Sequence, residues 1–320
     1  MALPARLVSH GPGRGPAPGA ARVRRRGRSD HRSTAAAYLA LTKPRIIELL
    51  LVTTVPTMIV AARGLPSGWL VLATLVGGSL AAGGANAINM VVDRDIDKVM
   101  RRTQGRPLVT GDMTPRAALT FAIAIEMLAF VELSLLVNVL SALLALSATL
   151  FYVFVYTLWL KRTSRQNIVI GGAAGAVPTL VGWTAVTGHL ALPPVILFAI
   201  IFVWTPPHFW ALAMRYREDY AAAQVPMLPV VTSFAHTARQ IVVYTVLLWA
   251  ASILFAPVAG MGLLYWGAAI VLGAVFVGHA VRLWREGSPA RAMGLFGWSI
   301  TYLTLLFAAM AADTLVRRFA

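Results

Sequence analysis

The chain has 320 residues, of which 58% are hydrophobic and 12% charged; it lacks cysteine and carries a formal net charge of +16. Soluble domains hold about 25% charged residues, so this composition, with a mean hydropathy of +0.72, excludes a water-soluble enzyme and indicates a polytopic membrane protein. The missing cysteines exclude a disulfide framework and a thiolate metal centre.

Residues 1–36 form a separate regime, with eight arginines between Arg6 and Arg32 among abundant Gly, Pro and Ala. Such a segment has too little apolar surface to fold. It is expected to be a disordered cytoplasmic tail drawn to anionic lipid. A mitochondrial transit peptide is the alternative reading, but the Gly-Pro content and the lack of amphipathic periodicity weigh against it.

Residues 37–320 are expected to form one membrane domain. Apolar segments long enough to cross a bilayer fall at about 46–64, 69–91, 117–136, 139–160, 168–187, 191–213, 240–260, 262–281 and 293–315. The loops after the second, fourth, sixth and eighth spans carry fifteen Lys and Arg, and the intervening loops at most one, Arg63. The positive-inside rule places the even loops and the N-terminus in the cytoplasm. Arg317 and Arg318 then lie on the wrong side.

The second span holds Gly77, Gly78, Gly83 and Gly84, which suit close helix approach or ligand contact. At its end Asn86, Asn89, Asp93 and Asp97 recur at i, i+3, i+7 and i+11, on one helical face, with Asp95 opposite. Four oxygen-bearing side chains in line suit Mg²⁺, which takes one or two carboxylates and completes its shell with phosphate and water. The stripe therefore implies a phosphorylated substrate. The plainer reading is a solvated helix end paired with Arg94, Lys98 and Arg101. Against it, two asparagines lie inside an apolar span, where polar groups are costly. Arg101, Arg102 and Arg106 follow the stripe, as orientation signals or as diphosphate clamps.

Glu126 and Glu132 in the third span receive no role. The fourth span ends in Tyr152, Tyr156, Lys161 and Arg162, the last two being further candidate clamps. Gly171, Gly172 and Gly175 mark the fifth. The sixth ends Trp204-Thr205-Pro206-Pro207-His208-Phe209-Trp210, and His208, Arg215 and Asp219 again share a helical stripe. His208 reads as a proton carrier, a haem ligand or an interfacial hydrogen-bonding residue. Spans two and six point the same way, so both polar stripes reach the cytoplasmic side and can face each other across a cavity.

The string Asn89-Met-Val-Val-Asp93-Arg-Asp-Ile-Asp97 resembles the first aspartate-rich motif of the UbiA-type intramembrane prenyltransferases. Its continuation to Arg106-Pro107-Leu108 resembles the haem-farnesylating branch of that family. So do Tyr156-Thr-Leu-Trp-Leu-Lys161-Arg-Thr, Asn167-Ile-Val-Ile-Gly-Gly, the PPHFW string, and Asp219-Tyr with Val225-Pro-Met-Leu-Pro229. The family's second motif usually has two aspartates four apart. Here Arg215 replaces the first, which argues against the quinone branches. The resemblance implies an all-α bundle of nine transmembrane helices around a cavity opening near the cytoplasmic side. It implies farnesyl diphosphate and haem b as substrates, with haem O as product. Asn89, Asp93 and Asp97 would hold Mg²⁺, and Asn86, Asn89, Arg101, Arg102, Arg106, Lys161 and Arg162 the diphosphate. Tyr156 and Trp204 would line the isoprenoid or haem, and His208, Arg215 and Asp219 would complete the catalytic set with Asp93 and Asp97. A haem A synthase or terminal oxidase is the expected downstream partner, the lipid bilayer the surroundings, and no nucleic acid is expected. A bacterial plasma membrane is the expected location, with the mitochondrial inner membrane as alternative. A quinone or chlorophyll prenyltransferase, a transporter and a haem-binding assembly factor are the competing readings.

Overall fold

The computed structural model describes residues 33–319, apart from the side chains of 45–51 and 319. The arginine-rich segment 1–32 lies outside them. Helix α1 (Thr34–Thr42) starts where the Ser33 hydroxyl accepts the Ala36 N–H at 3.3 Å, a standard N-cap. Residues 33–36, assigned to the tail on composition, therefore belong to or cap a helix. Lys43 turns the chain with φ 52°, and Pro44 opens α2 (Pro44–Ala62), where its missing N–H and fixed φ suit the first helical position.

The remaining elements used below are α3 (Gly68–Val92), α4 (Arg94–Val99), α5 (Pro115–Leu136), α6 (Val139–Thr163), α7 (Asn167–Thr187), α8 (Leu192–Arg215), α9 (Arg217–Ala222), α10 (Phe234–Val258), α11 (Leu263–Glu286) and α12 (Pro289–Phe319). No strand occurs among the described residues. Helices α3, α5, α6, α7, α8, α10, α11 and α12 are long and apolar enough to cross a membrane. Helix α2 takes the first-span position, with Val52–Ala62 as its apolar described part. The chain is thus all-α and multi-pass, as read from the sequence.

The nine long helices touch in a closed circuit: each packs on the next in chain order, and α12 returns to α2. Large side chains fill the half built from α8, α10, α11 and α12. Trp210, Tyr265, Phe255, Phe276, Tyr302 and Phe307 are fully buried there. The two tyrosine hydroxyls bond Ser252, one to its hydroxyl at 2.7 Å and the other to its carbonyl at 2.9 Å. The other half, α2, α3, α6 and α7, is lined by small residues and leaves a cavity. Glycine brings α3 close to α5. A Cβ at Gly77 or Gly84 would lie 2.1 or 2.6 Å from a carboxyl oxygen of Glu132 or Glu126.

The two arginines on the wrong side of the charge pattern sit at the far end of α12. Arg317 donates to the Gly260 carbonyl at the α10–α11 turn. Asp313, buried one helical turn earlier, accepts the N–H groups of Gly262 and Tyr265 at 2.6 and 3.2 Å, which caps the start of α11. Arg317 is used structurally, so it need not obey the orientation rule.

Candidate active site

The acidic stripe survives an interruption of its helix. Asp93 (φ −86°, ψ 7°) separates α3 from α4. The bonds Asp93 N–H to Asn89 O and Asp97 N–H to Asp93 O, both 2.9 Å, preserve the helical phase. Asn86, Asn89, Asp93 and Asp97 are all buried, with Asp93 and Asp97 at 0% and 2% exposure. Asn89 Nδ2 donates to Asp93 Oδ2 at 2.7 Å and to Thr157 Oγ1 at 3.2 Å.

Buried carboxylates need compensation, and every acid here has a base. Lys161 Nζ pairs with Asp93. Arg106 pairs with Asp97 at 2.6 Å. Arg162 grips Asp95 through two 2.8 Å bonds, and its Nη2 lies 3.7 Å from Asp93 Oδ1. Asp95 does point away from the stripe, and the Arg162 bonds hold its carboxyl well below the usual range. It anchors Arg162. Asp93 Oδ1 is buried with no hydrogen-bond partner among the described residues. Asp97 lines the cavity and Asp93 does not, because Lys161 and Asn89 cover it.

The sequence reading overlooked Lys43. Its Nζ donates to Asn86 Oδ1 at 3.3 Å and Asn89 Oδ1 at 3.2 Å, inside the cavity mouth. Burial, reinforced by the charges of Arg106 and Lys161, lowers the ammonium to about 7; an anion set against it would favour the charged form again. The only sequence signal was a Lys-Pro pair ahead of the first span.

A second feature was also missed. Residues Phe151–Leu160 of α6 form a π-helix, a rare form found mostly at functional sites. The Thr157 hydroxyl donates to the Tyr152 carbonyl at 2.8 Å. This segment stacks Tyr152 and Tyr156 at 5.4 Å toward the cavity, sets Thr157 against Asn89, and delivers Lys161 to Asp93. Gly171 admits the Tyr156 ring: a Cβ there would lie 2.3 Å from it.

The cavity has a volume of about 430 Å³. Lys43, Asn86, Asn89, Asp97, Arg102, Arg106 and Lys161 line its mouth, and Tyr152, Tyr156, Phe209 and Tyr220 its upper wall. Arg102 lies over the Tyr216 ring at 5.9 Å. Arg101 is exposed and lies outside the lining.

The second polar stripe does not face the cavity. The lining face of α8 carries Thr205 and Phe209, and continues to Tyr220 on α9. His208 follows the lining residues Ile201 and Trp204 at i+7 and i+4 but, like Arg215 and Asp219, is not itself part of the lining. Arg215 is exposed and Asp219 half-buried. His208 is sandwiched between Trp204 and Phe296, with ring centroids at 4.3 and 4.6 Å. The Ser299 hydroxyl spends its single proton on the Phe296 carbonyl at 2.6 Å, so His208 Nδ1 must donate to Ser299 Oγ at 2.7 Å. Trp204, which does line the cavity, donates to the Ser299 carbonyl at 2.8 Å.

The donor set is hard: two buried carboxylates, one oxygen of them unpartnered, beside amide oxygens and four cations. It fits a divalent cation that shares its shell with a diphosphate. The profile of the UbiA prenyltransferase family matches residues 50–312. The chain belongs to this family. It is 56% identical over 283 residues to the protoheme IX farnesyltransferase of Clavibacter michiganensis subsp. michiganensis, covering 88% of this chain and 92% of that one. It is 52% identical over 312 residues to the protein of the same name from Kineococcus radiotolerans, covering 92% of each. Among solved structures it resembles a digeranylgeranylglyceryl phosphate synthase, with a TM-score of 0.74 at 18% identity over 88% of this chain and 99% of that one. A UbiA homolog from Archaeoglobus fulgidus bound to GPP and Mg²⁺ gives a TM-score of 0.58 at 16% identity, covering 86% and 99%. As a UbiA member the chain is a multi-pass membrane prenyltransferase.

Proposed function

We propose that this UbiA enzyme joins the farnesyl group of farnesyl diphosphate to a vinyl group of protohaem IX, with addition of water, giving haem O and diphosphate. The observation that carries the reading is a buried acid pair, Asp93 and Asp97, ringed by Lys43, Arg106 and Lys161 at the mouth of an apolar cavity. The curated relatives with this activity, at more than half identity over most of the chain, select farnesyl and haem from the prenyl donors and acceptors that such a site could serve.

Asp93 and Asp97, with Asn89 beside them, would hold Mg²⁺, which when bound neutralises the diphosphate and weakens its bond to the allylic carbon; the A. fulgidus homolog holds GPP with the same ion. Lys161 and Arg106, now partners of the two carboxylates, are free to turn to the diphosphate oxygens once a cation takes their place. There they meet the charge that grows as the leaving group departs. Lys43, bonded to Asn86 and Asn89 of the stripe, and Arg102 complete the ring. The faces of Tyr152 and Tyr156 suit the allylic cation. The cavity wall keeps stray water from it. His208 acts through Ser299 and Trp204 as a positioning residue, and we place the polar edge of the porphyrin at the rim, against Arg215 and Asp219. The loop charges put this mouth and the N-terminus on the cytoplasmic side.

Expression in a bacterial host lacking haem O, followed by haem extraction, tests the reading. Wild type should yield the farnesylated pigment, and Asp93→Asn should insert normally and yield none. Normal turnover by Asp93→Asn would refute the metal assignment.

A further inference from the structure

The cavity is deeper than a farnesyl chain requires. Its deepest lining residue on α3 is Thr74, nineteen positions before Asp93, or about 28 Å at 1.5 Å per residue. Gly78, fifteen positions before Asp93, lies at about 22 Å. On helix α7 the lining is shorter, about 20 Å from Ile168 at the mouth to Val181.

An extended chain advances about 1.2 Å per bond, a third of a residue's reach. The eleven main-chain bonds of farnesyl therefore span about 13 Å, and the fifteen of a C20 chain about 18 Å. Two metal–oxygen distances add about 4 Å, and the three bonds from the metal-bound phosphate oxygen to the allylic carbon about 4 Å more. A farnesyl tail then ends at about 21 Å, level with Ser79. The C20 tail ends at about 26 Å, level with Val76. Gly78 falls between these two levels, and the cavity wall on α3 continues past it to Thr74. Nothing larger than alanine on this helix stops the tail at fifteen carbons.

Building on the farnesyl-transfer reading, we propose that this chain also accepts the C20 allylic diphosphate, and that Gly78 is the specificity-determining residue that admits the fourth isoprene unit. The chemistry is unchanged. The bond between C1 and the diphosphate oxygen breaks with its electron pair leaving on diphosphate. The haem vinyl carbon bonds C1, and water adds to the neighbouring carbon and releases its proton to solvent. Only the depth reached by the tail differs.

The test uses the purified full-length chain with Mg²⁺, ferrous protohaem IX and either geranylgeranyl or farnesyl diphosphate, with products read by mass. Wild type should give both prenylated haems, the C20 product one isoprene unit heavier. Gly78→Leu fills the deep end, so it should leave farnesyl transfer unchanged and lower C20 transfer at least about tenfold, the scale of overpacking a closed site. Val181→Phe should impose the same selectivity from the facing helix, and retained farnesyl transfer certifies the fold of either variant. The inference falls if wild type gives only the C15 product, or if both variants lower the two donors equally; the farnesyl reading then stands. If wild type gives no C15 product, the farnesyl reading fails and this inference with it.

Discussion

The Lys161–Asp93 pair offers a sharp test of how the site is balanced. Asp93 is fully buried and the Lys161 side chain is 15% exposed. Replacing Lys161 by Met would leave a carboxylate with Arg162, 3.7 Å away, as its nearest charged neighbour. Removing one partner of a buried pair costs about 3–5 kcal/mol. Arg162 keeps the cost near the lower bound, about 3 kcal/mol, which corresponds to a drop of roughly 6 °C in Tm for a chain of this size. The double variant Asp93→Asn/Lys161→Met buries no lone charge. It should melt within about 1 kcal/mol of wild type, so the costs of the two single variants should not add. The nine tryptophans supply the fluorescence readout for unfolding in detergent. Magnesium should also stabilise Lys161→Met more than wild type, since no ammonium has to be displaced, although turnover is lost. The reasoning fails if the single and double variants melt together, or if magnesium stabilises wild type and Lys161→Met equally.

Lys43→Met should weaken prenyl diphosphate binding by about tenfold, the value of one charge-assisted contact, with a larger effect on KM than on kcat; steady-state kinetics decide this. Gly171→Ala should push the Tyr156 ring out of the cavity wall and reduce turnover several-fold without lowering expression, measured by haem extraction against membrane protein level. Ser299→Ala would strand the buried His208 Nδ1–H, and should cost about 1–3 kcal/mol of stability. It should leave donor affinity unchanged, because His208 faces α12; a fall in donor affinity would show that His208 reaches the substrate.

Much of the fold was legible because a bilayer leaves few options. Apolar runs of the right length become helices, and charge asymmetry between loops orders them. The acidic stripe was legible for a local reason: Asn89, Asp93 and Asp97 are phased by one helix, and the break at Asp93 preserves that phase. The stripe of His208, Arg215 and Asp219 obeyed the same arithmetic and still missed the cavity. Periodicity says which residues share a face, and only the neighbouring helices decide where the face looks. Here Ser299 and Phe296 claim it. Lys43 was hidden because a corner with positive φ leaves little trace in composition. The basic loop residues could be counted but not sorted: Arg106 meets Asp97, Arg162 is taken by Asp95, and Arg101 stays outside the lining.

An intramembrane enzyme must present polar chemistry on an element whose outer surface stays oily. The widened coil at the end of α6 reconciles these demands without a break. Phe154, Leu158 and Trp159 remain turned outward at 60%, 48% and 61% exposure, while the inner surface offers two stacked phenols, a hydroxyl and an ammonium. Tightening that coil to ordinary pitch would still give a segment that hydropathy scores as a good transmembrane helix. It would leave the protein seated in its membrane with the ammonium that should meet the leaving group aimed at the wrong wall.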